Sequence, residues 1–286
     1  MHLAAYPGTA LPDDDAEGPP RTGATVTGPA AEETLAMVRR ALDGGRVLLA
    51  YQPVVMTRDT GRLAFCEGLI RLLDDAGQVI PAARFIEVAE RSEMGRILDC
   101  LALELGLAAL AADPALRLAV NMSARTIGYP RWSRSLTRAV DRDPTLAERL
   151  IIEITETSAL RHRDSVVLFM DGLQRRGIAF AIDDFGAGFT AISHFRAFYF
   201  DVLKIDGQFI RGIHRDPDNQ VLTRAMVSIA RHFDMFTVAE YVEDMRDADY
   251  LSGLGVDCLQ GYLFGAPTPR PPGRGGPVPP APPAAA

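Results

Sequence analysis

Residues 150–184 decide the fold and read LIIEITETSALRHRDSVVLFMDGLQRRGIAFAIDD. Two short apolar runs, residues 150–155 and 178–183, begin and end this segment. Between them, residues 164–176 place apolar side chains three and four positions apart, which is typical of an amphipathic helix. A strand, a helix and a second strand in this order predict one unit of an α/β fold with parallel strands.

The same alternation continues in both directions along the chain. Eight apolar runs predict strands at residues 47–54, 62–70, 116–122, 150–155, 178–183, 202–205, 236–240 and 256–261. Helical periodicity occupies residues 83–112, 164–176, 219–233 and 245–254. Eight strands separated mostly by helices predict a closed (β/α)₈ TIM-like barrel. Residues 56–61 (MTRDTG) are too few for a crossover helix and predict a hairpin, so one strand should run antiparallel to its neighbour.

Composition excludes several classes of protein. A formal net charge of −7 argues against a broad basic face for a nucleic acid polymer. The absence of a run of roughly 18 apolar residues and of an export segment predicts no membrane span and a cytoplasmic location. Three widely spaced cysteines are expected to be reduced core thiols. Residues 1–30 and 270–286, rich in Pro, Ala and Gly, predict disordered tails around one domain at 31–269.

Polar side chains collect at the carboxyl ends of the predicted strands, where barrel enzymes place their catalytic groups. They are Gln52, Glu67, Arg71, Asn121, Glu153, Glu156, Asp183, Asp184, Lys204, Asp206, Glu240, Glu243 and Gln260. A single carboxylate after a strand is commonly a helix cap or a loop residue. Many carboxylates at one barrel mouth repel each other unless cations neutralise them. Oxygen ligands without paired His or Cys favour Mg²⁺ or Mn²⁺, and a pair of such ions is a known arrangement for phosphoester cleavage.

Two further features bear on this site. Lys204 and Asp206 lie two positions apart at the end of one predicted strand, so both side chains are expected to face the site. Lys204 would then orient an attacking water or offset phosphorane charge, with a structural ion pair as the alternative. The two glycines of residues 184–188 (DFGAG) predict a flexible loop over the site.

Several short motifs follow one another between residues 33 and 269. They are YQPVV, EGLIR, VNMS, IEITET, DDFGAGF, LKID, VAEYVE and QGYLFGAP. In these motifs the chain resembles the EAL-domain cyclic di-GMP phosphodiesterases. The resemblance implies a barrel with an antiparallel first strand, and the hydrolysis of one 3′-phosphoester of cyclic di-GMP to linear pGpG.

The resemblance also implies roles for individual residues. Two divalent cations would be held by Glu67, Asn121, Glu153, Asp183, Asp184 and Glu240, with Asp206 and Glu243 nearby. The residues that would act on the reacting groups are Lys204, Gln260 and Glu240, the last as the candidate base. The nucleotide would contact Gln52, Leu69 and Arg71. Glu156 would anchor the loop at 184–188, which the family uses to couple dimerisation to activity, so a homodimer is expected.

The chain departs from the family pattern at three places, which keeps a second function open. Gly68 is the central residue of the EAL triplet, and the loop reads GAGFTA at residues 186–191. Tyr241 follows Glu240 where the family usually has Gly, and is expected to reposition Glu240 or narrow the pocket. The alternative is a catalytically weak or inactive barrel that acts as a cyclic di-GMP receptor or binds a protein. A phosphodiesterase for another nucleotide is disfavoured by Gln52 and Arg71.

Overall fold

Residues 28–188 and 198–272 of the chain are described by a computed structural model. The tails predicted for residues 1–30 and 270–286 lie almost wholly outside the described residues. Residues 189–191 of the GAGFTA loop also lie outside them. The extent of the domain, residues 31–269, therefore stays a prediction.

The strands form the closed barrel that the sequence predicts. They are β1 (Val47–Met56), β2 (Asp59–Leu73), β3 (Val79–Ile80), β4 (Leu118–Asn121), β5 (Leu150–Thr155), β6 (Ala179–Phe185), β7 (Val202–Ile205), β8 (Phe236–Ala239) and β9 (Cys258–Gln260). From β2, strands β4 to β9 follow in parallel and in chain order, and β9 meets β1 to close the barrel. The two-residue β3 only extends β2 at its edge.

The first strand is antiparallel to both of its neighbours. β1 pairs with β2 from Val47 with Leu72 to Met56 with Asp59, and with β9 from Val54 with Gln260 to Met56 with Cys258. The hairpin prediction is therefore confirmed, because the turn between β1 and β2 contains only Thr57 and Arg58.

Among the described residues, one helix precedes the first strand, and the others lie between later strands and pack on the outside of the barrel. They are α1 (Pro29–Asp43), α2 (Ile86–Glu90), α3 (Glu93–Ala112), α4 (Pro130–Arg142), α5 (Glu156–Arg161), α6 (Arg163–Gln174), α7 (Pro217–His232) and α8 (Met245–Leu254). A large apolar core fills the space between this layer and the barrel wall. The three cysteines, Cys66, Cys100 and Cys258, are buried and free, as expected.

The prediction of one helical stretch over residues 83–112 is wrong. Helix α2 ends at Glu90, and α3 begins after Ser92, whose hydroxyl oxygen accepts a hydrogen bond from Met94 N at 3.1 Å. This N-cap starts a new helix. The chain bends so closely here that a Cβ on Gly95 would lie 2.8 Å from the carbonyl oxygen of Ala89.

The lower half of the barrel interior is apolar. We use "interior layer" for the inward side chains Val54, Phe65, Ala119, Ala181, Val202, Val238 and Cys258, which form one buried cluster. This layer lies towards the amino ends of the parallel strands, whereas the carboxyl ends are where barrel enzymes place their active sites. We call these two ends the lower end and the upper end.

Candidate active site

Each of the eight barrel strands places a polar side chain at the upper end through the alternation of side chains along the strand. Residues two apart on a strand point to the same face. Phe65 of the interior layer is followed two positions later by Glu67, and Val202 is followed by Lys204 in the same way. The further pairs are Ala119 with Asn121, Ile151 with Glu153, Ala181 with Asp183, Val238 with Glu240 and Cys258 with Gln260. On the antiparallel β1 the order is reversed, because Gln52 precedes Val54.

Lys204 lies at the centre of this group, with its side chain fully buried. Its ammonium contacts four carboxylates, which we call the carboxylate cluster. Nζ lies 3.1 Å from Glu67 Oε2, 3.0 Å from Glu153 Oε2, 3.0 Å from Asp183 Oδ1 and 2.9 Å from Glu240 Oε1. One positive charge among four acidic groups leaves a buried excess of negative charge, which only protons or further cations can neutralise.

Glu67 is the best-supported carboxylate of the cluster. Its Oε1 accepts a hydrogen bond from Asn121 Nδ2 at 2.8 Å, and its Oε2 accepts one from Gln260 Nε2 at 2.6 Å. Gln260 Nε2 also lies 3.2 Å from Gln52 Oε1. Side-chain amides from β1, β4 and β9 therefore lie around the carboxylate of Glu67. Burial alone would raise the pKa of Glu67, but Lys204 and these amide donors together lower it to about 2.

Burial raises the pKa values of the other carboxylates at the upper end. Burial, followed by the charge of Glu67, raises the pKa of Glu153 well above its ordinary value. Burial also raises the pKa of Glu240 strongly, against the opposing effect of Lys204. The pKa of Asp184 rises to about 7 through burial and the charge of Asp183. Lys204 stays protonated, because the surrounding carboxylates outweigh its burial and raise its pKa.

These residues fit divalent cations. Asp183, Asp184 and Glu240 each offer a carboxylate oxygen, and the three oxygens lie within 4.8 Å of one another. Among the described residues, Glu153 Oε1 and Glu240 Oε2 are buried without a hydrogen-bond partner. Buried oxygens without partners are rare unless an ion or water completes them. The ligand set contains oxygen only, which suits Mg²⁺ or Mn²⁺.

A cavity of about 220 Å³ adjoins the carboxylate cluster. Three residues that the resemblance assigns to the nucleotide, Gln52, Leu69 and Arg71, line it together. Arg71 is 5% exposed, and its Nη1 donates a hydrogen bond to Ile70 O at 3.1 Å. Glu243 lines the same cavity from an exposed position. Tyr262, which also lines it, was not singled out in the sequence, although it lies within the QGYLFGAP motif.

Asp206 is placed differently from the other predicted ligands. Asp206 directly follows Ile205, the last residue of β7, and precedes a short 3₁₀ turn. Its carboxylate accepts a hydrogen bond from Gln208 N at 2.7 Å and caps a short 3₁₀ turn. Its charge nevertheless contributes to the raised pKa of Asp184. Asp206 therefore lies beside the site, and its part in holding a metal stays a prediction.

Glu156 connects the site to the loop after β6. It begins helix α5, is 1% exposed, and accepts a hydrogen bond through Oε2 from Gly186 N at 2.8 Å. The backbone of Gly188 also donates to this carboxylate. Glu156 thus fixes the first part of the loop.

Tyr241 takes up a backbone conformation that favours glycine. Its φ is +53°, in the left-handed region that bulky residues rarely adopt. Its ring lies over the backbone of Gly207, and the guanidinium of Arg211 stacks 4.2 Å from the ring centroid. Tyr241 lines the cavity, and Glu240 lies beside Lys204 and Asp183. The effect of Tyr241 on Glu240 and on the width of the pocket stays a prediction.

The fold and the site together define a (β/α)₈ barrel with an acidic, lysine-centred cavity at its upper end. Comparison with known proteins identifies the family. A family model described as "EAL domain" matches residues 35–267, and the chain belongs to this family. None of the described helices has the length and apolarity needed to cross a bilayer.

Individual relatives agree with this assignment. The chain is 30% identical over 256 residues to the cyclic di-GMP phosphodiesterase PdeF of Escherichia coli, covering 87% of this chain and 34% of the relative. It therefore spans about a third of that protein's length. The solved structure named PaMucR phosphodiesterase, c-di-GMP complex, has a TM-score of 0.74 at 28% identity, with 83% and 98% coverage of the two chains. The calcium and cy-diGMP complex of Klebsiella pneumoniae BlrP1 has a TM-score of 0.68 at 26% identity, with 80% and 57% coverage.

Proposed function

We propose that this chain is a metal-dependent phosphodiesterase that hydrolyses one 3′-phosphoester of cyclic di-GMP to linear pGpG. The carboxylate cluster carries the proposal, because its buried acidic groups outnumber the single cation of Lys204. Relatives named as cyclic di-GMP phosphodiesterases and the PaMucR complex support the choice of substrate.

Two divalent cations, Mg²⁺ or Mn²⁺, would be held by residues of the cluster and its neighbours. The first set is Glu67, Asn121, Glu153 and Asp183, and the second is Asp183, Asp184 and Glu240. When bound, the cations would supply Lewis-acid stabilisation of the charge that develops on the phosphoester. The BlrP1 structure, a complex with calcium and cy-diGMP, supports the choice of divalent cations.

The protein's own residues bind the nucleotide and accept the proton of the attacking water. Arg71 lies in the cavity wall and contacts a phosphate, since a guanidinium pairs well with phosphate oxygens. Gln52 and Leu69 contact the rest of the nucleotide. Glu240 accepts the proton of the attacking water at Oε2, which has no hydrogen-bond partner among the described residues. Lys204 and Gln260 hold the reacting groups in place, because they fix Glu67 and Glu240.

The direct test is hydrolysis of cyclic di-GMP by purified protein in the presence of Mn²⁺ or Mg²⁺, followed by chromatography of pGpG. Glu67→Gln, which keeps the shape of the side chain, should lower kcat at least 100-fold. Glu104→Gln is the matched control, because Glu104 pairs with Arg131 on the outside of the barrel and should leave kcat unchanged. Competition with other cyclic dinucleotides tests the substrate. Tight binding without hydrolysis under both metals would instead favour the receptor function.

We also propose a homodimer formed through the helices next to the loop at 184–188. Helix α6, which follows α5 and Glu156, exposes 74% of Leu168, an apolar side chain available for a partner. Light scattering at micromolar concentration should give twice the monomer mass. A fully active monomer would contradict the dimer. The cytoplasmic location stays a prediction.

A further inference from the structure

The backbone on either side of Tyr241 is fixed by its neighbouring strands. Glu240 N donates to Ile205 O at 3.2 Å, and Val242 N donates to Gln260 O at 2.9 Å. Val242 also lies against Gly261, where a Cβ would be 2.3 Å from Val242 N. The chain must therefore turn at residue 241 itself, and it does so with a φ of +53°. Such a conformation persists in a large residue only where the surroundings hold it.

The surroundings that hold Tyr241 come from the segment after β7. A Cβ on Gly207 would lie 2.4 Å from Tyr241 Cδ2, so the ring rests directly on the backbone of residue 207. The guanidinium of Arg211 lies over the ring at 4.2 Å from its centroid. The ring thus contacts one backbone segment and one cation, and a cation over an aromatic face is favourable.

This ring connects the ends of the two strands that carry Lys204 and Glu240. Gly207 lies three residues after Lys204, and Tyr241 directly follows Glu240. Between these two residues runs the contact of 2.9 Å from Lys204 Nζ to Glu240 Oε1. The strand hydrogen bonds fix the backbone here, and the ring adds a side-chain contact between the two strand ends beside the Glu240 carboxylate.

We propose that Tyr241 is a positioning residue that fixes the carboxylate of Glu240 for cation binding, through the contact of its ring with Gly207 and Arg211. The proposal rests on the proposed function, because it assigns Glu240 to the metal site. The positioning role would explain why a bulky side chain occupies residue 241, where the backbone conformation favours glycine.

The test compares Tyr241→Gly with wild type by Mn²⁺ titration calorimetry and by crystal structures of the metal-free proteins. Glycine keeps the left-handed conformation without the ring. Mn²⁺ affinity should fall about 10- to 100-fold, the range found when supports of metal ligands are removed. In the crystal, Glu240 should lose its contact with Lys204. Unchanged affinity with an unchanged contact would overturn the proposal.

Three variants serve as controls. Asp234, with a φ of +55°, lies exposed in the turn before β8, at the other end of the strand from Tyr241. Asp234→Gly relieves comparable strain and should not change Mn²⁺ affinity; an equal loss would show that the ring is not responsible. Tyr241→Phe keeps the ring, so its Mn²⁺ affinity should stay within about twofold of that of wild type. In Gly207→Ala the new Cβ would lie 2.4 Å from Tyr241 Cδ2 and would push the ring away. This variant should therefore lower Mn²⁺ affinity as Tyr241→Gly does.

The outcomes separate this proposal from the proposed function. Wild type that hydrolyses cyclic di-GMP, with Tyr241→Gly binding Mn²⁺ equally well, removes the positioning role and leaves the function intact. Wild type that binds Mn²⁺ without hydrolysis, with weaker binding in Tyr241→Gly, removes the function and leaves the positioning role. If wild type binds no Mn²⁺, the two crystal structures test the positioning role. Loss of the contact between Glu240 and Lys204 in Tyr241→Gly would support it, and an unchanged contact would overturn it.

Discussion

Charged residues at the lower end of the barrel contact different groups from those at the upper end. At the lower end, Asp257 accepts hydrogen bonds from Thr237 N at 2.9 Å and Thr237 Oγ1 at 2.8 Å. Arg149 donates to the carbonyl oxygens of Leu110, Asp113 and Leu116. At the upper end, the carboxylates crowd around Lys204, and Glu153 and Glu240 keep oxygens without a partner among the described residues.

The difference separates structural from functional groups. A buried polar group that is satisfied by the backbone stabilises the fold and has no capacity left for a ligand. A group of like charges with incomplete hydrogen bonding destabilises the protein alone and becomes favourable when a cation arrives. Mutations at the upper end should therefore change hydrolysis and the response to metal, whereas mutations at the lower end should change stability alone.

The largest effect is expected for Lys204→Met. Removal of the ammonium that contacts all four members of the carboxylate cluster leaves buried acidic groups unpaired, which should lower the free energy of unfolding by about 3–5 kcal/mol. Urea unfolding at pH 7 with EDTA measures this loss, and Mn²⁺ should recover part of it. Hydrolysis should fall to background. A variant as stable as wild type in EDTA would show that the cluster is neutralised by protons alone.

A smaller effect is expected at the lower end for Asp257→Ala. The substitution leaves Thr237 N and Oγ1 without their acceptor in a residue that is 1% exposed. Unfolding free energy should fall by about 1–3 kcal/mol. The kcat at 25 °C should match wild type, and Mn²⁺ should stabilise the variant as much as it stabilises wild type. A loss of kcat without a loss of stability would contradict the division between the two ends.

The pH dependence of stability should sharpen the comparison. Asp184 has an ordinary pKa of 3.8 and a pKa of about 7 in the folded protein, so the folded state binds more protons between these values. Without metal, the melting temperature should therefore fall by a few degrees as the pH rises from about 4 to 7. Glu153 and Glu240 act with the same sign, whereas the lowered pKa of Glu67 acts only below its ordinary value of 4.5.

Two measurements test whether Asp184 causes the fall of the melting temperature with rising pH. Saturating Mn²⁺ should remove the contribution of Asp184, and Asp184→Asn should do the same without metal. Asp99, which accepts a hydrogen bond from Ser123 N outside the cluster, has a pKa raised to about 7 chiefly by burial. Its contribution should remain when metal is added. A slope unaffected by Mn²⁺ would place its origin in Asp99 instead of the cluster.

The smallest effect is expected for Gly68→Ala, which restores the central residue of the EAL triplet. The new Cβ would lie 2.9 Å from Leu49 Cδ2 and 3.2 Å from Ala119 O. The Leu49 side chain can move, so stability should change by less than about 1 kcal/mol and hydrolysis by less than about twofold. Chemical denaturation and steady-state kinetics measure both. A large loss of activity would mean that packing on the outer face of β2 constrains Glu67 more tightly than its hydrogen bonds do.

The sequence predicted the strands better than the contacts between their side chains. Every apolar run became a barrel strand, because strand length, alternation and intervening helices are local properties. The division of residues 83–112 was missed, because the Ser92 cap and the close approach at Gly95 depend on local hydrogen bonding and tertiary packing. Short segments such as β3 carry too few residues for a pattern.

The site was predicted as a set of acidic residues at one barrel mouth. The sequence could not give the pairing of Lys204 with four carboxylates, since the barrel register decides which strand ends meet. The orientation of Asp206 was missed because its carboxylate accepts a local hydrogen bond from Gln208 N, which the strand pattern does not predict. The support of Tyr241 by Gly207 and Arg211 joins residues 30 or more positions apart and has no local signal.

The closure of the barrel between β1 and β9 has a consequence for folding. Strands β1 and β2 form a hairpin from neighbouring residues, whereas Val54 meets Gln260 only after nearly the whole domain has been synthesised. Contacts of such large sequence separation form slowly, since the chain loses much entropy in closing the loop. Gln260 also donates to Glu67, so the last strand to join completes the support of a central acidic side chain. A ribosome-bound chain that lacks β9 should therefore remain inactive, and cation binding during refolding should coincide with the final cooperative step.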